Sequence, residues 1–243
     1  MNTSSSGDST TPDPPSAAPS TAATTSPTEP SKKRIIAFFD AQNLFFAAKE
    51  LWGYHWPNYD PSKLAQAICA QHPGWNLIQI RFYTGVPLQE RNYEGNIFWQ
   101  NKLLALSRAG VVTYRRHLVY RQEEVELSDG SFEVIKYSQE KGVDVRVALD
   151  MLMLAVSDAY DVALVFSQDQ DLSEAVDDVR KVATSAGRWI LVASAYPHEP
   201  GSSRNNRGIS NTLYCPIDHA TYDACIDPRD YRPRLRSGRP RPK

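Results

Sequence analysis

The chain has 243 residues, a formal net charge of −1 and three cysteines. The cysteines show no close Cys-x-x-Cys spacing and so indicate neither a disulfide framework nor a zinc site, and no stretch approaches the ~18 apolar residues of a membrane span. Because the N-terminus has neither a basic nor an apolar signal region, we expect a reduced, cytoplasmic setting and no membrane partner.

The two ends of the chain differ from the rest in composition and charge. Residues 1–33 are rich in Ser, Thr, Pro and Ala and cannot bury enough surface to offset their ordering entropy, so we predict a disordered tail. Residues 227–243 carry seven basic and two acidic groups among prolines, which predicts a second tail that is either a polyanion tether or a solubilising extension. Residues 34–226 are left, a suitable size for one domain.

Strand and helix patterns alternate along this central region, which predicts an α/β domain. The apolar run at 34–39 is typical of a strand covered on both faces, and Asp60-Pro61 supplies a helix cap and a first-turn proline. The predicted strands are 34–39, 77–83, 111–115, 162–166 and 189–194. The predicted helices are 43–52, 60–71, 91–108, 143–157, 172–186 and 218–225.

Two segments depart from a simple alternation. Residues 117–137 contain an Asp129-Gly130 turn between charged arms, which predicts a hairpin that projects from the sheet. Residues 197–211 are rich in Gly, Ser, Asn and Arg and predict a mobile loop. The helix at 143–157 is apolar almost all round, so we expect it to be buried against the sheet.

Aspartates stand where predicted strands end or a helix begins. Asp40 ends the first strand, Asp169 and Asp171 follow the strand at 162–166, and Asp144 opens the long apolar helix. Ligands bind at the carboxyl ends of strands in open α/β sheets, and carboxylates gathered there repel one another unless a cation or a proton offsets the repulsion. The pattern therefore predicts a hard divalent metal and favours phosphoester hydrolysis.

Each of these residues also has a purely structural explanation. Asp40 and Asn43 are good helix-capping residues, and either Asp169 or Asp171 could cap the following helix. Asp144 would interact favourably with the N-terminus of its own helix. None of these positions predicts a metal site by itself.

Asp150 and Lys141 also have structural explanations. Asp150 lies four residues after Arg146, which is the spacing of an ion pair within a helix. Its separation of six residues from Asp144 puts the two acids on different helix faces. Lys141 could steer a phosphate or could be a solvated loop residue.

Three short motifs follow one another along the chain: Asp40-x-x-Asn43, Lys141-Gly-Val-Asp144 and Ser167-Gln-Asp169-Gln-Asp171. Their combination is far more specific than any one of them, and it resembles the NYN domain family of PIN-like ribonucleases over roughly residues 34–195. The resemblance implies a PIN-like (Rossmann-like) three-layer fold with a mainly parallel central sheet. It also implies a Mg²⁺ or Mn²⁺ site and RNA as the partner.

The resemblance also assigns roles to individual residues. The catalytic and metal-binding positions of the family fall on Asp40, Asp144, Asp169 and Asp171. Asn43 matches the polar partner in the family motif, and we expect Asn43 and Lys141 to bind the substrate. An acid at the position of Asp150 is also familial, although its geometry ranks it below the others.

The chain departs from the family pattern at two positions. Gln168 stands where the family usually has Gly, and Leu172 where it has Phe. Gln resists the positive φ that Gly tolerates, so we expect a tightened or reshaped turn at this point.

The leading hypothesis is therefore a metal-dependent endoribonuclease, and two alternatives stay open. One is a non-catalytic RNA-binding or adaptor module that uses the basic tail with Arg204 and Arg207. The other is a haloacid-dehalogenase-like phosphatase, which is disfavoured because Asp40-Ala41-Gln42 lacks the Asp-x-Asp of that class. No histidine lies within the motifs to act as a base, and a homodimer is left open.

Overall fold

A computed structural model describes residues 27–126, 128–202 and 207–233, together with Met1. Most of each predicted tail lies outside the described residues. Arg204, in the predicted loop at 197–211, also lies outside them. The helices are α1 (Ala41–Trp52), α2 (Pro61–Ala70), α3 (Tyr93–Arg108), α4 (Val143–Val156), α5 (Ser173–Ser185) and α6 (His219–Ala224). The strands are β1 (Lys33–Asp40), β2 (Trp75–Val86), β3 (Val112–His117), β4 (Val119–Glu126), β5 (Phe132–Gln139), β6 (Val162–Phe166), β7 (Leu191–Pro197) and β8 (Leu213–Ile217).

Six strands form one parallel sheet in the order β3-β2-β1-β6-β7-β8. The predicted mixed α/β fold with a mainly parallel sheet is confirmed. The direction of winding reverses between β1 and β6, and in doubly wound sheets the ligand crevice opens at that point. Phe39 pairs with Phe166 in the register of these two strands, so the residues that follow, Asp40 and Ser167, emerge side by side.

The two faces of the sheet carry separate hydrophobic cores. Ile35, Ala37 and Phe39 of β1 pack with side chains from α1, α2, α3 and α6. Ile36 and Phe38 pack on the opposite face with side chains from α4 and α5. Since both faces are covered, β1 is apolar at every position from Ile35 to Phe39 rather than at every second one.

The outer face of α4 corrects one expectation. The helix buries one side against the sheet, but four of its apolar residues are exposed: Val145, Leu149, Met153 and Val156. These residues recur at intervals of three or four, so they share the helix face that points away from the sheet. The expected burial against the sheet therefore holds for one face of the helix only, because apolar composition does not tell which faces meet a partner.

Strand β8 was not predicted, and its sequence explains why. Pro216 interrupts the apolar run and cannot donate a ladder hydrogen bond. The strand lies at the edge of the sheet, paired only with β7 among the described strands, and an edge is where proline is tolerated.

The C-terminal boundary also needs correction, since residues 227–233 pack on the domain. The side chains of Asp227 and Tyr231 are buried. The Tyr231 hydroxyl donates to Asp227 at 2.6 Å, and Arg229 forms an ion pair with the same carboxylate at 2.7 Å. The Tyr231 carbonyl accepts a hydrogen bond from Asn101 of α3 at 2.9 Å. The packed chain therefore extends beyond residue 226.

Strands β4 and β5 form a separate antiparallel ribbon, as the Asp129-Gly130 turn predicted. Gly130 has φ of +80°, the left-handed conformation that such a turn requires. Most residues of the ribbon are exposed. No helix of the described residues is long and apolar enough to cross a membrane.

Candidate metal centre and its cleft

The crevice between β1 and β6 is held by a short hydrogen-bond network. Asp40 caps α1 by accepting from the backbone N–H of Asn43 at 3.2 Å, so β1 passes into the helix without a loop. The side-chain oxygen of Asn43 accepts from the backbone N–H of Gln168 at 2.9 Å. The Ser167 hydroxyl lies 3.4 Å from the Asp40 carboxylate and accepts from the Asp169 N–H at 3.1 Å. The two strand ends are thus fixed relative to each other.

Three carboxylates converge beside this network. Asp144, Asp169 and Asp171 each place one oxygen so that all three oxygens lie within 4.8 Å of one another. Oxygens that share a Mg²⁺ ion at about 2.1 Å lie roughly 3–4 Å apart, so a small closure of the group would satisfy a cation. An all-oxygen, anionic donor set is the type that Mg²⁺ and Mn²⁺ prefer.

Asp40 lies deeper than these three and beside them. Its side chain is only 4 % exposed, and burial raises the pKa of this carboxyl to about 7, with smaller contributions from the charges of Asp169 and Asp144. The hydrogen bonds from Asn43 and Ser167 oppose this effect without cancelling it. The crevice therefore disfavours the carboxylate charge of Asp40 unless a cation is close.

Glu140 is a site residue that the sequence reasoning missed. It accepts a hydrogen bond from the backbone N–H of Gly85, and a Cβ at Gly85 would collide with it. Burial, followed by the charges of Asp40 and Asp144, raises the pKa of Glu140 to about 8. The only sequence signal was its position directly before the Lys141-Gly-Val-Asp144 motif.

The start of α4 delivers Asp144 to the crevice. Gly142 precedes the helix with φ of +73°, and a Cβ there would collide with the Arg116 guanidinium. Arg116 donates to the Lys141 carbonyl at 3.2 Å, which holds the approach to the helix. Asp144 lies in the first turn, and the exposed Lys141 lines the same cleft.

Asp150 lies in a different environment. Its carboxylate pairs with Arg81 and Arg146, each at 2.7 Å, and accepts from the Tyr83 hydroxyl at 2.8 Å. Burial alone would raise the pKa of Asp150, but the hydrogen bonds from Arg81 and Tyr83 outweigh burial and lower it. These contacts favour the ion-pair explanation that the spacing from Arg146 suggested.

The two departures from the family pattern are accommodated locally. Among the described residues other than glycine, φ is positive only at Asp158 and Asn211, so Gln168 does not need the conformation that Gly would allow. Its side chain donates to the Arg207 carbonyl at 2.8 Å instead. Leu172 is buried and packs in the core under α4 and α5.

A cleft of about 910 Å³ leads away from the acidic residues. Asp40, Asp144 and Asp169 line one part of it. The other part is aromatic and basic, and it is lined by residues that no motif marked: Phe46, His55, Trp56, Arg91 and Tyr120. The crevice thus combines a candidate cation site with a surface suited to a larger ligand.

A doubly wound parallel sheet with clustered carboxylates at its switch point is the arrangement of a PIN-like nuclease fold. The NYN domain profile matches residues 34–207, and the chain belongs to the NYN domain family, whose members are PIN-like nucleases. The family resemblance seen in the sequence motifs is confirmed.

Other comparisons are more distant. A protein of unknown function from Vibrio parahaemolyticus is 15% identical, with 84% of this chain and 98% of that chain covered and a TM-score of 0.41. Ribokinase from Giardia lamblia is 10% identical, with 58% and 44% covered and a TM-score of 0.30. No curated protein matches this chain. The family assignment therefore depends on the NYN profile and on the residues of the crevice.

Proposed function

We propose that this protein is a Mg²⁺- or Mn²⁺-dependent endoribonuclease. The observation that supports the proposal most directly is the convergence of Asp144, Asp169 and Asp171 in the crevice of an NYN domain. NYN domains are nucleases, which favours an RNA phosphodiester as the substrate.

In this proposal Asp144, Asp169 and Asp171 hold the cation, and Asp40 completes the anionic site directly or through water. A bound divalent cation stabilises charge on the phosphate and lowers the pKa of a coordinated water. Asn43 keeps the Asp169 loop in place through its bond to the Gln168 N–H. Asp150 is left out of the ligand set because arginines already pair with it.

Two further residues of the cleft lie close to the carboxylate cluster, and the basic one would position the substrate. Lys141 lines the cleft three residues before Asp144 and suits contact with a phosphate oxygen. Glu140 is partly buried near Asp40, and its raised pKa keeps it protonated at neutral pH unless a nearby cation favours its charge. A cytoplasmic location and a homodimer stay predictions from the sequence.

The decisive experiment measures cleavage by the full chain. Linear and circular RNAs, both single-stranded and base-paired, are incubated with Mg²⁺, Mn²⁺ or EDTA. Asp169→Asn removes one anionic ligand and keeps the size, so we expect cleavage to fall by about 100-fold or more. A circular RNA has no ends, so its cleavage identifies an endonuclease.

The matched control is Asp178→Asn on α5. Asp178 forms a surface ion pair with Lys181 at 2.7 Å, and such pairs contribute little to stability. Parent and Asp178→Asn should cleave equally well. RNA binding without cleavage by the parent would contradict the nuclease and support a non-catalytic RNA-binding module. Cleavage by a folded Asp169→Asn at the parental rate would rule out its role as a ligand.

A further inference from the structure

The base of the β4–β5 hairpin is fixed beside the acidic crevice. The Leu118 N–H donates to the Val86 carbonyl at 3.0 Å, and the Leu88 N–H donates to the Tyr120 hydroxyl at 3.0 Å. On the other arm, Glu140 accepts from Gly85. Both arms are therefore attached to the carboxyl end of β2, and the base of the hairpin forms one wall of the cleft.

A second cavity continues the cleft along this wall. It has a volume of about 420 Å³ and shares Arg91, Tyr120 and Ser138 with the larger cleft. Gln122 and Lys136 also line it. A continuous surface thus leads from the carboxylates to the base of the hairpin, and a chain-like ligand can lie along both cavities.

The side chains on this surface are suited to contact both the base and the phosphate of a nucleotide. Tyr120 pairs with Ser138, and Gln122 with Lys136, so these four residues share one face of the ribbon. The Arg91 guanidinium lies over the Tyr120 ring, 5.6 Å from its centroid. RNA bases stack on aromatic rings and on arginine planes, and the Lys136 ammonium can bind a phosphate.

The far end of the hairpin has the opposite charge. Five acidic residues lie toward the turn: Glu123, Glu124, Glu126, Asp129 and Glu133. These carboxylates repel phosphates and therefore limit nucleic-acid binding to the base of the ribbon. Paired bases are already stacked within a duplex, so the platform of the exposed Arg91 and the partly exposed Tyr120 favours an unpaired base.

We propose that the base of the β4–β5 hairpin is a binding subsite for single-stranded RNA. An unpaired base stacks on the Arg91–Tyr120 platform, and Lys136 binds a phosphate of the same strand, which continues to the carboxylate cluster. The inference depends on the proposed function for the identity of the ligand as RNA, and it goes further by assigning the form of RNA and the residues that select it.

The test measures binding without cleavage. Full-length protein carrying Asp169→Asn is titrated in Mg²⁺ with a labelled single-stranded RNA of about 12 nucleotides and with a fully base-paired duplex RNA of the same length. Tyr120→Leu should weaken single-strand binding by about 5- to 100-fold, the effect of losing one base–aromatic stack. Tyr120→Phe keeps the ring and removes only the hydroxyl that accepts from the Leu88 N–H, so it separates stacking from that hydrogen bond and should change affinity by less than about 2-fold.

The controls separate stacking from general effects. Tyr214→Leu removes an exposed tyrosine on β8, at the opposite edge of the sheet, and should leave affinity unchanged. Lys136→Gln should lower the slope of log affinity against log salt by about 0.7, as expected for one phosphate contact on a single strand. Arg115→Gln removes an equal charge from β3 outside both cavities and should leave the slope unchanged.

The outcomes distinguish this inference from the nuclease proposal. Unchanged single-strand affinity in Tyr120→Leu would overturn the subsite, and so would an equal loss for single-stranded and duplex RNA. If Tyr120→Leu does not fold, Arg91→Gln takes its place, because it removes the other half of the platform. Failure of the nuclease proposal appears instead as a parent protein that binds these RNAs and cleaves none of them.

Discussion

Replacing Asp40 with Asn should stabilise the metal-free protein at neutral and alkaline pH. Asn and Asp are equally good helix caps and have the same size, so the Asn43 N–H keeps its acceptor. What the change removes is a negative charge that is buried and lies close to Asp169, Asp144 and Glu140. The substitution therefore isolates the electrostatic cost of the site.

The structure sets the size and the pH range of this effect. The pKa of Asp40 rises from 3.8 in the unfolded chain to about 7 in the folded protein. Below pH 3.8 the carboxyl is protonated in both states and costs nothing. Between pH 3.8 and 7 the parent loses about 1.4 kcal/mol of stability per pH unit relative to the variant. Above pH 7 the difference in stability between the two proteins stays constant at about 4 kcal/mol. It is smaller to the extent that the neighbouring acids take up protons and so reduce the repulsion on Asp40.

Urea unfolding of the two proteins in EDTA, at intervals from pH 4 to pH 8, measures the difference directly. The same experiment with millimolar Mn²⁺ should stabilise the parent by RT ln(1 + [L]/Kd) and the variant by less. Asp178→Asn, which removes an exposed charge, should match the parent under all conditions. A pH-independent difference, or a variant less stable than the parent at pH 8 in EDTA, would refute the electrostatic argument.

Two more predictions concern the C-terminal tail and the buried Lys102 of α3. Truncation after Pro233 removes five basic groups and leaves the packed Tyr231 in place. RNA affinity should then depend less on salt, by up to about 3.5 in slope, with cleavage at saturating RNA preserved. Identical binding slopes would instead identify the tail as a solubilising extension. Lys102 is buried and donates to the Tyr59 carbonyl at 2.7 Å, and burial lowers the pKa of its ammonium to about 7. Parental stability should therefore rise from pH 7.5 to 9.5 by about 1.4 kcal/mol per unit relative to Lys102→Met, as measured by urea unfolding. Parallel pH profiles would contradict this assignment.

Local sequence patterns were sufficient for the order of most elements and for the acidic motifs. The run at 34–39 is apolar because β1 is covered on both faces, and the turn at Asp129-Gly130 requires a positive φ. Such signals act within a few residues, so they can be read without knowing what lies across the sheet. The family resemblance rested on the same short segments.

Only the tertiary structure decided which groups meet. Strand order places the end of β1 beside that of β6, and the attachment of Glu140 to Gly85 brings it near Asp40, although the two acids are 100 positions apart in the sequence. The same packing pairs Asp150 with arginines, exposes the outer face of α4 and buries Tyr231. Burial and pKa depend on neighbours that are distant in the sequence, and a pattern of residue types does not specify those neighbours.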